Sequence, residues 1–223
     1  MKPWVLVGKA PVPGGGEVTL HQRDRELVLR VDGAELMSTR RHSSEDALAE
    51  LGCRDLGPAP AILIGGLGFG FTLRAALAIA PAGAQIVVGE LVPALVDWNR
   101  TALGPEAAAA LADPRVTIAL GDVGASIRGA TARWDAILLD VDNSPHALAH
   151  PGNGALYSPN GLAAAKRALR PGGRLAVWSA VRAPVFGRRL GAAGFTVAVH
   201  DVAARAGSGA AHTIYLGRMP AAR

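Results

Sequence analysis

The sequence predicts an α/β fold: a seven-stranded, mostly parallel sheet whose last strand runs antiparallel, preceded by a small N-terminal antiparallel β-domain. Three observations predict it. First, Ala61-Ile-Leu-Ile-Gly65-Gly-Leu-Gly-Phe-Gly70 ends an apolar run on a cluster of glycines, and helix-forming Phe71 to Ala80 follows before Pro81. That order reads as buried strand, glycine turn and helix. Second, from residue 61 onward strand-length apolar runs alternate with helical stretches, the pattern of a parallel sheet. Third, Phe195-Thr-Val-Ala-Val-His200 and His212-Thr-Ile-Tyr-Leu216 follow each other with no helix between them. Strands joined that way pair antiparallel.

The elements justify this in order. Residues 1–16 close on Pro11-Val-Pro13-Gly-Gly-Gly16 and read as a turn-rich lead. Glu17 to Gln22 and Glu26 to Val31 alternate as half-buried strands, Asp32-Gly33 is a hairpin turn, and Ala34 to Ser38 is a third strand. Ser43 or Ser44 caps a short helix, Glu45 to Leu51. Gly57-Pro58-Ala-Pro60 links to the main domain, which gives an N-terminal unit of 1–56 and a larger domain of 57–223. In the latter, strands are expected at Ala61 to Ile64, Gln85 to Glu90, Val116 to Leu120, Trp134 to Asp140 and Arg174 to Ser179. Helices are expected from Pro93 to Leu103, Asn160 to Leu169 and Pro184 to Ala193, with Pro171-Gly-Gly173 as the turn after the second.

Composition narrows the function classes. Half of the 223 residues are hydrophobic, enough for a substantial core, yet no apolar run reaches the roughly 18 residues of a membrane span. The apolar stretch near the N-terminus is too short for a signal-peptide core. A single cysteine, Cys53, excludes an internal disulfide framework and fits a reducing cytoplasm. The net charge of +5 comes from scattered arginines without a basic run, and 4 Trp, 2 Tyr and 4 Phe make no stacking platform, which argues against a nucleic-acid partner. His146 and His150 stand four apart without an evident third ligand, so no metal site is expected.

The glycine loop departs from the dinucleotide fingerprint, because Phe71 stands where a small residue is needed, and no Gly-Lys-Ser/Thr phosphate loop exists. A seven-stranded sheet ending in a hairpin fits instead the class I S-adenosylmethionine (SAM) methyltransferase fold, a Rossmann-like architecture. In that fold Gly65, Gly66, Gly68 and Gly70 cradle the nucleoside. Glu90, one helix and one strand farther on, holds the ribose hydroxyls, and Asp122 with Val123 meets the adenine. Ile62-Leu-Ile-Gly-Gly-Leu-Gly-Phe-Gly70 resembles the glycine loop of the spermidine synthases, the polyamine aminopropyltransferases, written in that family as roughly V-L-I-I-G-G-G-D-G-G. Asp113-Pro-Arg-Val116 with Gly121-Asp122 resembles the family's D-P-R-V…G-D, and Trp134-Asp-Ala-Ile-Leu-Leu-Asp140 its Y-D-V-I-I-x-D.

The resemblance implies a transferase that takes SAM or decarboxylated SAM and alkylates a small-molecule acceptor, an amine in the family, as a cytoplasmic homodimer. It implies Asp140 as the catalytic acid at the end of the fourth strand. Asp142 either replaces a shifted second acid or lines the pocket, and Glu45, Asn143 and Tyr157 contact the acceptor. Two departures stand out. The family's D-S-S-D-P is here Asp140-Val-Asp142-Asn143-Ser144-Pro145, and the aspartate that binds the donor's ammonium tail is here Gly68. These changes make methyl transfer as open as aminopropyl transfer. A non-catalytic nucleoside-binding scaffold of the same descent is the rival reading.

Overall fold

The computed structural model of the chain describes residues 2–141, 153–203 and 211–221. The first of two sheets is antiparallel, in the order β1 (Val5–Pro11), β2 (Glu17–Arg23), β3 (Glu26–Val31) and β4 (Ala34–Ser38). Asp32 and Gly33 hold φ of 49° and 82°, the left-handed pair that a two-residue hairpin needs to match strand twist. The Asp32 carboxylate also accepts from the Glu17 N–H at 2.8 Å, tying the turn to β2. One expectation is corrected here. The first 16 residues are more than a turn-rich lead, because Val5–Pro11 is a full edge strand paired with β2. Val5, Leu6 and Val7 are all exposed, so no inward-facing alternation marks this strand in the sequence.

The second sheet contains β5 (Ala61–Gly65), β6 (Gln85–Glu90), β7 (Val116–Leu120), β8 (Trp134–Leu139), β9 (Leu169–Ser179), β10 (Thr196–Ala203) and β11 (Ala211–Arg218). Their order is β10-β11-β9-β8-β5-β6-β7, with β11 antiparallel to both neighbours and the other pairings parallel. The chain runs outward from β5 through β6 to β7, then returns to place β8 on the other side of β5. This makes the ends of β5 and β8 a topological switch point, where open α/β sheets bind ligands.

Helices α2 (Phe71–Ile79), α3 (Pro93–Thr101), α6 (Pro159–Ala168) and α7 (Pro184–Ala192) lie near their expected positions. Two helices were not anticipated: α4 (Pro105–Ala112), an alanine run opened by proline, and the short α5 (Val123–Arg128). Pro171-Gly-Gly173 does not end a helix. It forms an irregularity inside β9, where the pairing with β8 jumps from Trp134↔Leu169 to Ala136↔Arg174. Helix α1 (Ser43–Cys53) follows the small sheet in sequence, yet its Leu48, Ala49 and Cys53 pack with Ile62, Leu73 and Leu138 in the core on one face of the large sheet. Trp134, Leu162, Phe186 and Tyr215 fill the core on the other face. The small sheet buries Val18, Leu20 and Leu29 against Phe69, Phe71 and Leu95, so it closes over the glycine loop.

The Asp-Pro-Arg-Val stretch has a structural task. Asp113 and Arg115 form a salt bridge at 2.9 Å, and the same guanidinium donates to the carbonyls of Ala80 and Leu77 at the end of α2. The hydrogen bonds from Arg115 hold the Asp113 carboxyl down at about 2.

Candidate active site

A cavity of about 420 Å³ opens between the small sheet and the C-terminal ends of β5, β6, β7 and β8. The strand ladder brings those ends level: Gly65 stands beside Gly89 and Leu139, and Glu90 beside Leu120. Backbone bonds extend the register one step farther, from Asp140 N–H to Gly65 O at 2.9 Å and from Gly66 N–H to Gly89 O at 2.8 Å. Glu90, Asp122 and Asp140 therefore meet around the glycine turn.

The turn needs its glycines for local reasons. At Gly66, φ is +88°, and a Cβ would lie 2.3 Å from the Asp140 carbonyl oxygen, so the loop crosses the end of β8 at a distance that admits hydrogen only. A Cβ at Gly65 would lie 3.1 Å from the Val123 and Leu139 side chains, so glycine admits the head of α5. Gly70, at φ +72°, is the N-cap of α2. Gly66 and Gly68 line the cavity.

Glu90 is 5% exposed and braces the loop. Its Oε2 accepts from the Leu67 N–H at 2.8 Å, and its Oε1 from the Val92 N–H at 2.7 Å. Burial raises its pKa, while these and the neighbouring backbone N–H groups oppose the rise. Glu90 also lines the cavity. Asp122 caps α5: its Oδ1 accepts from Gly124 N–H at 2.7 Å and its Oδ2 from Arg128 at 2.9 Å. Asp122 and Val123 also line the cavity.

Two further carboxyl groups, Glu45 and Asp140, line the same cavity. Asp140 accepts from Thr72 Oγ1 at 2.9 Å, and Glu45 accepts from Ser44 Oγ at 2.5 Å. Burial lifts Asp140 to about 6, with the Thr72 bond opposing. Burial, then the charge of Asp140, lifts Glu45 to about 7. Two like groups in one apolar setting cannot both ionise cheaply, so they titrate as a pair.

Sequence reasoning missed three contributors. His212 lines the cavity and contacts Ser44 Oγ through Nδ1 at 2.8 Å. Trp178 lines it too, with its ring edge-on to His212 at 4.7 Å. Met37 on β4 lies over Gly68, its Sδ 2.8 Å from where a Cβ would sit. No local pattern could have found these, because strands far apart in sequence bring them together.

Tyr157 corrects an expectation. It is 1% exposed, packs edge-on against Phe186 in the core and is not among the residues that line the cavity. The loop holding it folds inward because Leu156 and Tyr157 supply apolar bulk for the face of the sheet that α6 and α7 cover. Asp142, Asn143, His146 and His150 lie outside the described residues. Cys53 is buried, and burial pushes its thiol up to about 12, which makes it an inert core residue.

A polyamine aminopropyltransferase of Mycobacterium tuberculosis is 34% identical over 165 residues, 72% of this chain and 30% of that protein. A putrescine N-methyltransferase of Nicotiana attenuata is 38% identical over 117 residues, 52% of this chain and 29% of its own. The chain thus spans less than a third of the length of these relatives. No family model matches. Among solved structures, a spermidine synthase in complex with the transition-state analogue AdoDATO superposes with a TM-score of 0.79 at 17% identity, covering 96% of this chain and 73% of that one.

Proposed function

The chain is spermidine synthase-like, a homologue of the polyamine aminopropyltransferases, and from that premise we propose that it alkylates a small amine at the expense of a sulfonium nucleoside. The observation that carries this reading is the Asp140–Glu45 carboxyl pair, set in the same cavity as the glycine turn and Glu90. The residues present fit such a nucleoside: Gly66 and Gly68 line the cavity beside Glu90, a buried carboxylate that braces the loop.

A sulfonium donor supplies an electrophilic carbon, whose bond to sulfur breaks with its electron pair as the amine nitrogen bonds to that carbon. The protein's own residues do the rest. Glu90, on the cavity wall, accepts from the ribose hydroxyls. An alkylamine has a pKa near 10 and arrives protonated, so it must lose a proton before it attacks. The Asp140–Glu45 pair, raised toward neutrality, takes that proton and holds the cation beforehand. The apolar walls from Val12, Leu29 and Leu36 exclude water around it.

The donor we favour is SAM rather than its decarboxylated form. An aspartate at position 68 would attract an ammonium tail and repel a carboxylate; Gly68, on the cavity wall, does neither. One charged contact is worth about 1.5–3 kcal/mol, an order of magnitude or more in affinity. A relative that is a putrescine N-methyltransferase supports methyl transfer on this scaffold. The single buried cysteine suits a cytoplasmic location, and among the described residues no helix is long and apolar enough to cross a membrane.

Calorimetric titration of both nucleosides tests this. The wild type should bind SAM at least as tightly as the decarboxylated form. Gly68→Asp should reverse the order when combined with Met37→Ala, which clears the space above position 68. A strong wild-type preference for the decarboxylated nucleoside would overturn the assignment and return aminopropyl transfer to first place.

A further inference from the structure

We propose that Ser44 and His212 form a proton relay that empties the carboxyl pair, running from Glu45 through the Ser44 hydroxyl to the His212 imidazole. The three groups come from two elements far apart in sequence, Ser44 and Glu45 on the first turn of α1 and His212 on β11. Ser44 Oγ is 2.5 Å from Glu45 Oε2 and 2.8 Å from His212 Nδ1. Ser44 is fully buried, so water cannot substitute for either contact. The relay rests on the amine-alkylation reading for the origin of its proton, but its geometry stands independently.

Hydrogen-bond inventory fixes the proton positions. A serine hydroxyl has one proton to give, and an ionised carboxylate can only accept. With Glu45 ionised, Ser44 donates to Glu45, so the Nδ1 of His212 must carry a proton and donate to Ser44. With Glu45 protonated, the chain points the other way: Glu45 donates to Ser44, Ser44 donates to Nδ1, and the ring proton sits on Nε2. The transfer then balances. The Glu45 proton passes to Ser44 Oγ, the Ser44 proton passes to Nδ1, and the Nε2 proton leaves to water. Glu45 is again ionised and the ring is the Nδ1–H tautomer, the starting arrangement.

The surrounding charges permit this cycle. Glu45 is faced by Asp140 from the end of β8 and Asp46 from its own helix, both opposing its ionisation. His42 holds Asp46 at 2.8 Å. Burial, then Arg41, lowers the pKa of His212, which favours the neutral ring. Arg41 is itself paired with Glu35. Trp178 packs edge-on against the ring and fixes its plane.

Nitrogen-15 NMR of the histidine side chains, without any nucleoside, decides the matter. The His212 signal is assigned by its loss in His212→Gln. In the wild type the ring should be mainly the Nδ1–H tautomer at high pH and shift toward Nε2–H as the carboxyl pair takes up its proton. In Ser44→Ala and in Glu45→Gln that pH-dependent exchange of tautomers should be lost. A wild-type ring that is Nε2–H at every pH, or a Ser44→Ala ring that switches as the wild type does, overturns the relay. The wild-type measurement stands even if a variant fails to fold. In turnover of SAM with putrescine, Ser44→Ala should lose about tenfold or more in kcat with unchanged nucleoside affinity. A wild type inactive on that pair would count against the alkylation reading, while the tautomer result still decides the relay.

Discussion

Glu90 does two things with one carboxylate. It anchors the glycine turn through Leu67 and the next loop through Val92, and it lines the cavity. Glu90→Ala therefore removes a ligand contact and leaves two buried N–H groups without their acceptor. We expect nucleoside affinity to fall about tenfold or more, with a loss of stability of roughly 1–3 kcal/mol for each orphaned donor. Calorimetry and thermal melting read the two effects separately, and an unchanged affinity would remove Glu90 from the site. The positions of Gly66 and Glu90 were legible in the sequence because strand, turn and acid follow at fixed spacing. The engagement of Tyr157 in the core was not, since it depends on neighbours that arrive from elsewhere. Ser44 and His212 stand 168 residues apart, beyond any local pattern.

At the scale of elements, what the sequence could not show has particular causes. Strand β1 is specified by its partner β2 and not by its own exposed side chains. Helix α5 has six residues, fewer than periodicity can mark, although its Asp122 cap is a readable start signal. Helix α4 carried a signal that went unread, a proline at the first position followed by alanines, the best helix formers. The seam between α1 and β8 yields a pH dependence. Burial raises both Glu45 and Asp140, so the native state keeps protons that the unfolded chain releases above about pH 4. The pair's contribution to stability is full below that pH and is lost as pH rises through about 7. Glu45→Gln cannot ionise. Relative to the wild type it should gain roughly 1–3 kcal/mol between about pH 5 and pH 8. Denaturant titrations at both pH values check this, and a constant difference would contradict the buried pair.

The whole molecule is organised around a cavity with a floor of parallel strand ends and a roof of antiparallel strands. The resemblance of the large domain was legible because its motifs sit in order along β5, β6, β7 and β8. The roof was legible except for its edge strand β1. That edge strand leaves Val5, Leu6 and Val7 60%, 51% and 42% exposed, and we propose that a second copy covers them in a homodimer. Light scattering at micromolar concentration should give a dimer for the wild type and a smaller species for Leu6→Glu. A monomeric wild type would contradict it.

The central claim is that Asp140 takes a proton from an amine while a sulfonium nucleoside lies on the glycine turn. Its most direct test is to incubate the wild type and Asp140→Asn with SAM or decarboxylated SAM and putrescine, and to quantify both products by mass spectrometry. The account predicts alkylated amine and thioether nucleoside in equal amounts from the wild type, with turnover about 100-fold lower in Asp140→Asn at unchanged nucleoside affinity. Equal turnover by the two proteins, or a bound nucleoside that the wild type never consumes, would contradict it.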